Sequence, residues 1–250
     1  MVATRGPGTR LVVFLLFILV GNASRAGEFW EEKDYRRWSE KECRKLLEDS
    51  PWARRHVPLS RVIVETLNPQ QEGIDRARET NPRMEYHVQF RSALPVRQAM
   101  VRMEQIRAQY DTMSPEQQRS FDQQAEQFLG VTFPDMVVLH VYYAASVPAD
   151  DLALARYWQT QTLNTLKNSV FLMGRPDAKV APVRYWVAQG ARREFELFFS
   201  RQPDGQPLVG PEDKSLKLEF THPNIREQGE SRVLLEFKVE KMLMNGAVVF

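Results

Sequence analysis

Four stretches of the chain alternate apolar with polar or charged side chains at a period of two, and this limits the fold more than any other feature. Tyr86, Val88 and Phe90 alternate with Glu85, His87 and Gln89 across Met84 to Phe90. Phe195, Leu197 and Phe199 repeat on one face, as do Leu216, Leu218 and Phe220, and then Val233, Leu235, Phe237 and Val239. Successive strand residues point to opposite faces, so each run has one apolar and one wet side, as in an antiparallel sheet buried on one face. The turn sequence PDGQP, Pro203 to Pro207, lies between two runs and predicts that consecutive strands pair as a C-terminal antiparallel meander. Asp135 to Ser146 is almost continuously apolar (MVVLHVYYAA at its centre), which suits a central strand buried on both faces. Arg61 to Leu67 reads as a shorter strand, and the polar stretch Asn68 to Arg83, with Pro69, Gly73 and Pro82, as a mobile loop.

Helices are signalled by their ends. Ser39 with Glu42 forms a capping box, Trp38 and Cys43 stand at the positions of a hydrophobic staple, Leu46 and Leu47 continue the stripe, and Pro51 stops the helix near Asp49. Pro95 opens a helix carrying Val96, Ala99, Met100, Met103, Ile106 and Tyr110 at spacings of three and four. Ser114, Pro115 and Gln117 then start another, bearing Phe121, Ala125, Phe128 and Leu129 and closed at Gly130. A long helix is expected from Asp150 to Met173, with Leu152, Ala155, Trp158, Leu166 and Val170 as its core stripe. The whole reads as α+β, with helices mainly in the first two-thirds packed on a sheet and the meander at the end. The break at Gly174 to Asp177 is too short for a flexible linker, so residues 27–250 are expected to form one domain, a sub-boundary at 174–178 being the alternative.

The first 26 residues are set apart. Arg5 and Arg10 precede the apolar run Leu11 to Val20, followed by small residues at Ser24 and Ala26, the pattern of a secretory signal peptide cleaved after Ala26. Ten helical residues reach about 15 Å, half of a hydrocarbon core of about 30 Å, so no stable transmembrane span is expected. The chain is therefore expected to be exported to the periplasm, cell envelope or medium. Residues 1–26 hold three of the 34 Lys and Arg and none of the 32 Asp and Glu, so removal leaves 31 basic against 32 acidic side chains, a net of −1. Such a near-neutral globule lacks the basic footprint of a nucleic-acid binder. The one local cluster, Arg54, Arg55, His56 and Arg61, reads as a solvated loop beside a helix C-terminus, with an anionic-ligand patch as the alternative.

Chemical motifs are absent at the level of local spacing. The chain contains no G-x-S-x-G, H-E-x-x-H, G-x-x-x-x-G-K-[ST] or G-x-G-x-x-G, and His56, His87, His140 and His222 stand singly, so no catalytic, cofactor-binding or metal-ligating residue is assigned. Cys43, the only cysteine, has Lys41, Arg44 and Lys45 as neighbours, but its place in the staple points to a buried structural thiol. His140 shares a strand face with Val138 and Tyr142; it reads either as a core histidine with a hydrogen-bond partner or as a base lining a pocket, with Tyr142 or Tyr143 beside it. Asp150 and Asp151 precede an apolar-periodic run and read as helix-capping groups. Phe29, Trp30, Trp38 and Trp52 form either core packing or a surface for partner docking or carbohydrate stacking. Three function classes follow. The first is a non-catalytic binding or structural module whose partner is another envelope or extracellular macromolecule. The second is a hydrolase or transferase whose site is assembled from residues remote in sequence. The third is a carrier of a small apolar ligand, lined by Met100 and Met103.

Three segments carry a resemblance. W-S-E-K-E-C at Trp38 to Cys43 with D-S-P-W-A at Asp49 to Ala53, S-A-L-P-V-R-Q-A at Ser92 to Ala99, and F-K-V-E-K-M at Phe237 to Met242 together resemble a group of uncharacterised secreted bacterial proteins of similar length. The resemblance implies export and a bacterial source; it implies no activity, ligand or site.

Overall fold

The computed structural model describes residues 28–58, 83–176, 178–225 and 232–250. The expected leader, the strand expected over Arg61 to Leu67 and nearly all of the loop expected over Asn68 to Arg83 lie outside the described residues.

The alternating runs are strands, and they sort into two antiparallel sheets. The first has the order β1 (Ala53–His56), β2 (Met84–Phe90), β3 (Met136–Ala145), β7 (Glu194–Ser200) and β6 (Arg184–Val187). The second has the order β5 (Lys179–Val180), β4 (Val170–Met173), β8 (Ser215–Thr221) and β9 (Arg232–Lys238). The sheets meet through their apolar faces: Tyr86 of β2 lies 5.0 Å from Phe220 of β8, and Phe90 of β2 lies 4.8 Å from Phe237 of β9, both ring pairs edge to face. A buried hydrogen bond of 2.7 Å joins the Tyr86 hydroxyl to His222 Nδ1 just beyond β8. A continuous apolar cluster takes residues from both sheets and from the helices between and beside them.

This arrangement splits the expected meander. β6 pairs with β7 and β8 with β9, but β7 and β8 lie in different sheets. The PDGQP segment is therefore a 3-10 turn crossing from one layer to the other, with Asp204 and Gly205 at positive φ. The expected long helix also divides. α4 (Pro148–Thr160) ends at Gln161, one further turn follows at Leu163–Leu166 behind a second capping box of Thr162 and Thr165, and residues 170–173 form β4. Leu154 takes the buried place expected for Leu152, which is exposed, while Ala155, Trp158, Leu166 and Val170 are buried. Trp158 enters between the layers, 4.3 Å from Phe195. At Gly174 the chain passes so close to the Leu208 carbonyl that any Cβ would clash, and Arg175 donates its amide to that oxygen at 3.0 Å.

α1 (Glu40–Glu48), α2 (Leu94–Arg107) and α3 (Pro115–Gly130) gather beside the first sheet. The capping boxes at Ser39/Glu42 and Ser114/Gln117 are present in both directions. Lys33, with the Ser39 amide, holds the Glu42 carboxyl down to about 2 against its desolvation. The end of α3 is closed by something other than Gly130. Arg97 of α2, itself buried, donates to the carbonyls of Phe128 at 3.2 Å, Leu129 at 2.9 Å and Val131 at 2.6 Å, so one guanidinium serves acceptors that the helix leaves unpaired. α1 covers the β1–β2 end of the first sheet's outer face, where Gln89 donates to the Leu47 carbonyl at 2.8 Å and Ala53 is fully buried. Beyond that cover, the outer face exposes Tyr142 of β3 and Trp186 of β6, while Val138, His140 and Phe198 on the same face are buried.

Candidate functional site

β3 is the middle strand of its sheet, with Val137 to Val141 buried in succession, but Met136 and Tyr142 are exposed, so it is not buried on both faces along its whole length. Its alternate residues Val138, His140 and Tyr142 face outward, and register decides what surrounds them. One cross-strand rung contains Trp186, Glu196, His140 and Gln89, from β6, β7, β3 and β2; the next contains Glu194, Tyr142, His87 and Arg55, from β7, β3, β2 and β1. Directly opposed side chains in such rungs stand about 5 Å apart at Cβ, so residues remote in sequence are brought into one patch.

The patch is an open concavity of about 570 Å³ with His140 on its floor. His140 is only 6% exposed. Its Nε2 lies 3.5 Å from a Glu194 oxygen and its Nδ1 lies 3.6 Å from a Glu196 oxygen, so a carboxylate stands at each end of the imidazole. His140, with Arg91 and Arg184 behind it, holds the Glu196 carboxyl below its ordinary value against the opposing effect of burial. Arg91 directly follows β2; its burial lowers the guanidinium pKa, opposed by Glu196 and Glu194, and its Nε makes no hydrogen bond. The turn between β6 and β7 passes through Gly190 at φ +76 and returns Arg192 and Arg193 to the rim. Arg193 is fixed by Asp151 at 2.7 Å, and Arg192 reaches Glu194 at 3.5 Å. Two aromatic rings stand above this charged floor, Tyr142 and Trp186, each 45% exposed. Arg184 lies over the Phe198 ring at 3.5 Å and continues the face along β6. Further along the second rung, Arg55 and His87 hold Glu85 below its ordinary value despite its burial.

The sequence-derived candidates separate accordingly. His140 and Tyr142 share the concavity, whereas Tyr143 points into the core, where burial pushes its phenol up to about 12. His140 therefore lines an outward-facing site on one sheet. Asp150 and Asp151 lie in the first turn of α4, whose N-cap is Val147 with no side-chain cap bond, so neither is the capping residue expected, and Asp151 instead orients Arg193 at the rim. Cys43 is fully buried and its thiol is raised to about 11 by desolvation. Trp30, Trp38 and Trp52 are buried, and Phe29 packs on the same cluster, so these aromatics are core. Arg54, Arg55 and His56 belong to the edge strand β1 and correct the expectation of a solvated loop; Arg61 lies outside the described residues. Met103 is buried, while Met100 lines an apolar surface groove of about 360 Å³ between α2 and α3, with Phe121 and Phe128 opposite.

Glu194, Glu196, Trp186 and Arg91 escaped the sequence reading. The available signal was the wet side of β7, where Glu194 and Glu196 alternate with Phe195 and Leu197. Chemically the arrangement suits recognition by both donors and acceptors. Its two carboxylates address opposite nitrogens and do not converge with the ring on one point, and among the described residues no three His, Cys, Asp or Glu side chains are placed to hold a metal ion. No helix among the described residues is long and apolar enough to cross a membrane. Comparison with protein-family models, with curated proteins and with solved structures yields no match for this chain.

Proposed function

We propose that the chain is an exported, non-catalytic binding module that docks another envelope or extracellular macromolecule on the outer face of the five-stranded sheet, around His140. One observation carries this reading: Tyr142 and Trp186 stand exposed above a buried His140 ringed by partly buried charged groups, on the part of the face away from α1. Large rings that remain in water on an otherwise well-packed sheet serve recognition, because stability would favour burying them. The alternative of a hydrolase or transferase has less support. Among the described residues that line the concavity there is no serine, threonine or cysteine nucleophile, and His140 holds the Glu196 carboxyl below its ordinary pKa, the opposite of the shift that makes a proton donor. The alternative of an apolar-ligand carrier rests on the α2–α3 groove, which lies open at the surface.

Export rests on the basic, apolar and small-residue sequence of positions 1–26 and on the resemblance of the Trp38 to Ala53 segment to secreted proteins. The secreted protein should begin at Gly27 by intact-mass measurement. The docking role is tested by sedimenting purified protein with envelope fragments of the producing cells. Wild type should co-sediment, and the double variant Tyr142→Ala, Trp186→Ala should remain in solution with an unchanged circular-dichroism spectrum. Equal sedimentation of the two proteins, or none of either, would overturn the assignment of this face.

A further inference from the structure

The mixture of charges on this face restricts what it can hold. Each of the two carboxylates Glu194 and Glu196 would repel an anionic ligand, while Arg91, Arg192 and Arg193 would repel a cationic one. A ligand without net charge avoids both penalties, but it must still give hydrogen bonds to carboxylate oxygens and accept them from guanidinium groups. The Glu194 and Glu196 carboxylates and the Arg192 guanidinium are partly open at the concavity and supply the acceptors and donors that such a ligand meets. Hydroxyl groups do both, acting as donor and acceptor within one atom. The exposed Tyr142 and Trp186 rings add a further demand for a ligand with apolar C–H faces between its hydroxyls.

We infer that the ligand of this face is a neutral polysaccharide chain, its hydroxyls bridging Glu194, Glu196 and Arg91 while its ring faces stack on Tyr142 and Trp186. This inference rests on the docking role proposed above and names the chemistry of the ligand. The positions of the two aromatics say why a chain is needed. β6 and β3 are separated by β7, and Trp186 and Tyr142 stand on adjacent rungs, so their backbone positions are about 12 Å apart on the diagonal, from two strand spacings across and two residues along. A single sugar cannot lie on both rings, whereas consecutive sugars of one chain can. The paired rings thus act as two contacts linked through one ligand, which raises the effective affinity of each.

Envelope fragments bound by the wild-type protein provide the test, after treatment either with periodate, which cleaves vicinal diols of sugars, or with a broad-specificity protease. Binding should be lost after periodate and kept after protease. In parallel, native gels cast with a soluble neutral glucan, mannan or xylan should retard the wild-type protein, and an anionic alginate or a cationic chitosan should not. Trp186→Ala and Tyr142→Ala should each weaken the neutral-polysaccharide interaction by about tenfold, while Lys167→Ala, on a remote exposed turn, should not change it. Binding that survives periodate and is destroyed by protease would establish a protein partner and overturn the polysaccharide assignment while leaving the docking face intact. Preferential retardation by alginate or chitosan would overturn the neutrality on which the inference depends. Equal envelope binding by the Tyr142→Ala, Trp186→Ala protein would instead remove the docking face itself.

Discussion

The strands β2, β3 and β7 carry two faces that obey different rules. On the inner face Tyr86, Val88, Phe90, Leu139, Val141, Phe195 and Leu197 are all buried and meet the second sheet or Trp158. On the outer face of the same three strands stand Glu85, His87, His140, Tyr142, Glu194 and Glu196, with charged partners within 4 Å or rings open to water. The inner side chains are fixed by volume and area, for which one apolar residue of the right size substitutes for another. The outer ones are fixed by register, because a one-residue slip would exchange the faces and scatter the His140 cluster. The fold therefore needs the inner face, and the proposed function needs only the outer.

The largest expected effect sits on the inner face. Phe195→Ala removes a buried ring that touches Trp158 at 4.3 Å and Tyr185 at 5.8 Å, and should cost about 3–5 kcal/mol of unfolding free energy. Tyr142→Ala, on the neighbouring strand but facing out, should change stability by about 0.5 kcal/mol or less. Urea unfolding of both variants at matched m-values measures the contrast. Similar losses would mean that the outer aromatics are part of the core, and the division between faces would fail.

The second effect tests a polar group that acts on the structural side of the division. Arg97→Met keeps the apolar stem but removes the donors to the Phe128, Leu129 and Val131 carbonyls at the end of α3, and should cost about 2–3 kcal/mol. Amide hydrogen exchange should localise the loosening to the last turn of α3. Protection there that matches wild type would show that Arg97 closes nothing.

Much of the structural face was legible in the sequence. The capping boxes at Ser39 and Ser114 are local in sequence and fix helix starts at Glu40 and Pro115, and the alternation from Met84 to Phe90 coincides with β2 from end to end. Elements whose formation depends on a neighbour were hidden. β1 is rich in Arg and His and shows no apolar alternation, because it is an edge strand defined by pairing with β2. β4 was absorbed into the long helix because Val170 falls on the helical stripe of Trp158 and Leu166; pairing with β8 and β5 overrides that period. The sheet change after β7 was illegible for the same reason, since PDGQP marks a turn and not the layer to which the chain turns. In the candidate site, His140 and Tyr142 could be placed on one face of β3 from spacing alone. Their neighbours Glu194, Glu196, Trp186 and Arg91 come from 44 to 56 residues away, and only the register of β2, β3, β7 and β6 joins them.

A third experiment probes the polar tie between the layers. Tyr86→Phe keeps the ring that packs at 5.0 Å on Phe220 but removes the hydroxyl that meets His222 Nδ1 at 2.7 Å. Loss of one buried hydrogen bond should cost about 1–2 kcal/mol, read from the urea midpoint. A neutral result would place the cohesion of the two sheets entirely in their apolar contact.

The smallest expected effect belongs to the outer face and is visible only in acid. His140, Arg91 and Arg184 hold the folded-state pKa of Glu196 below that of the unfolded chain. A depressed carboxyl pKa contributes stability above the unfolded pKa, near 4.3, and that contribution disappears as pH falls through the folded value. Glu196 is partly open to solvent, so screening limits the contribution to about 1 kcal/mol or less. Glu196→Gln should therefore lower the urea midpoint slightly at pH 7, and the gap to wild type should narrow as pH falls from about 5 to 3. Glu42, whose carboxyl is held down to about 2 by Lys33 and the Ser39 amide, supplies acid sensitivity common to both proteins and should not alter their difference. If the gap between the two proteins stays constant from pH 7 to pH 3, Glu196 acts by packing and not by charge, and the outer face would then follow the same rule as the inner one.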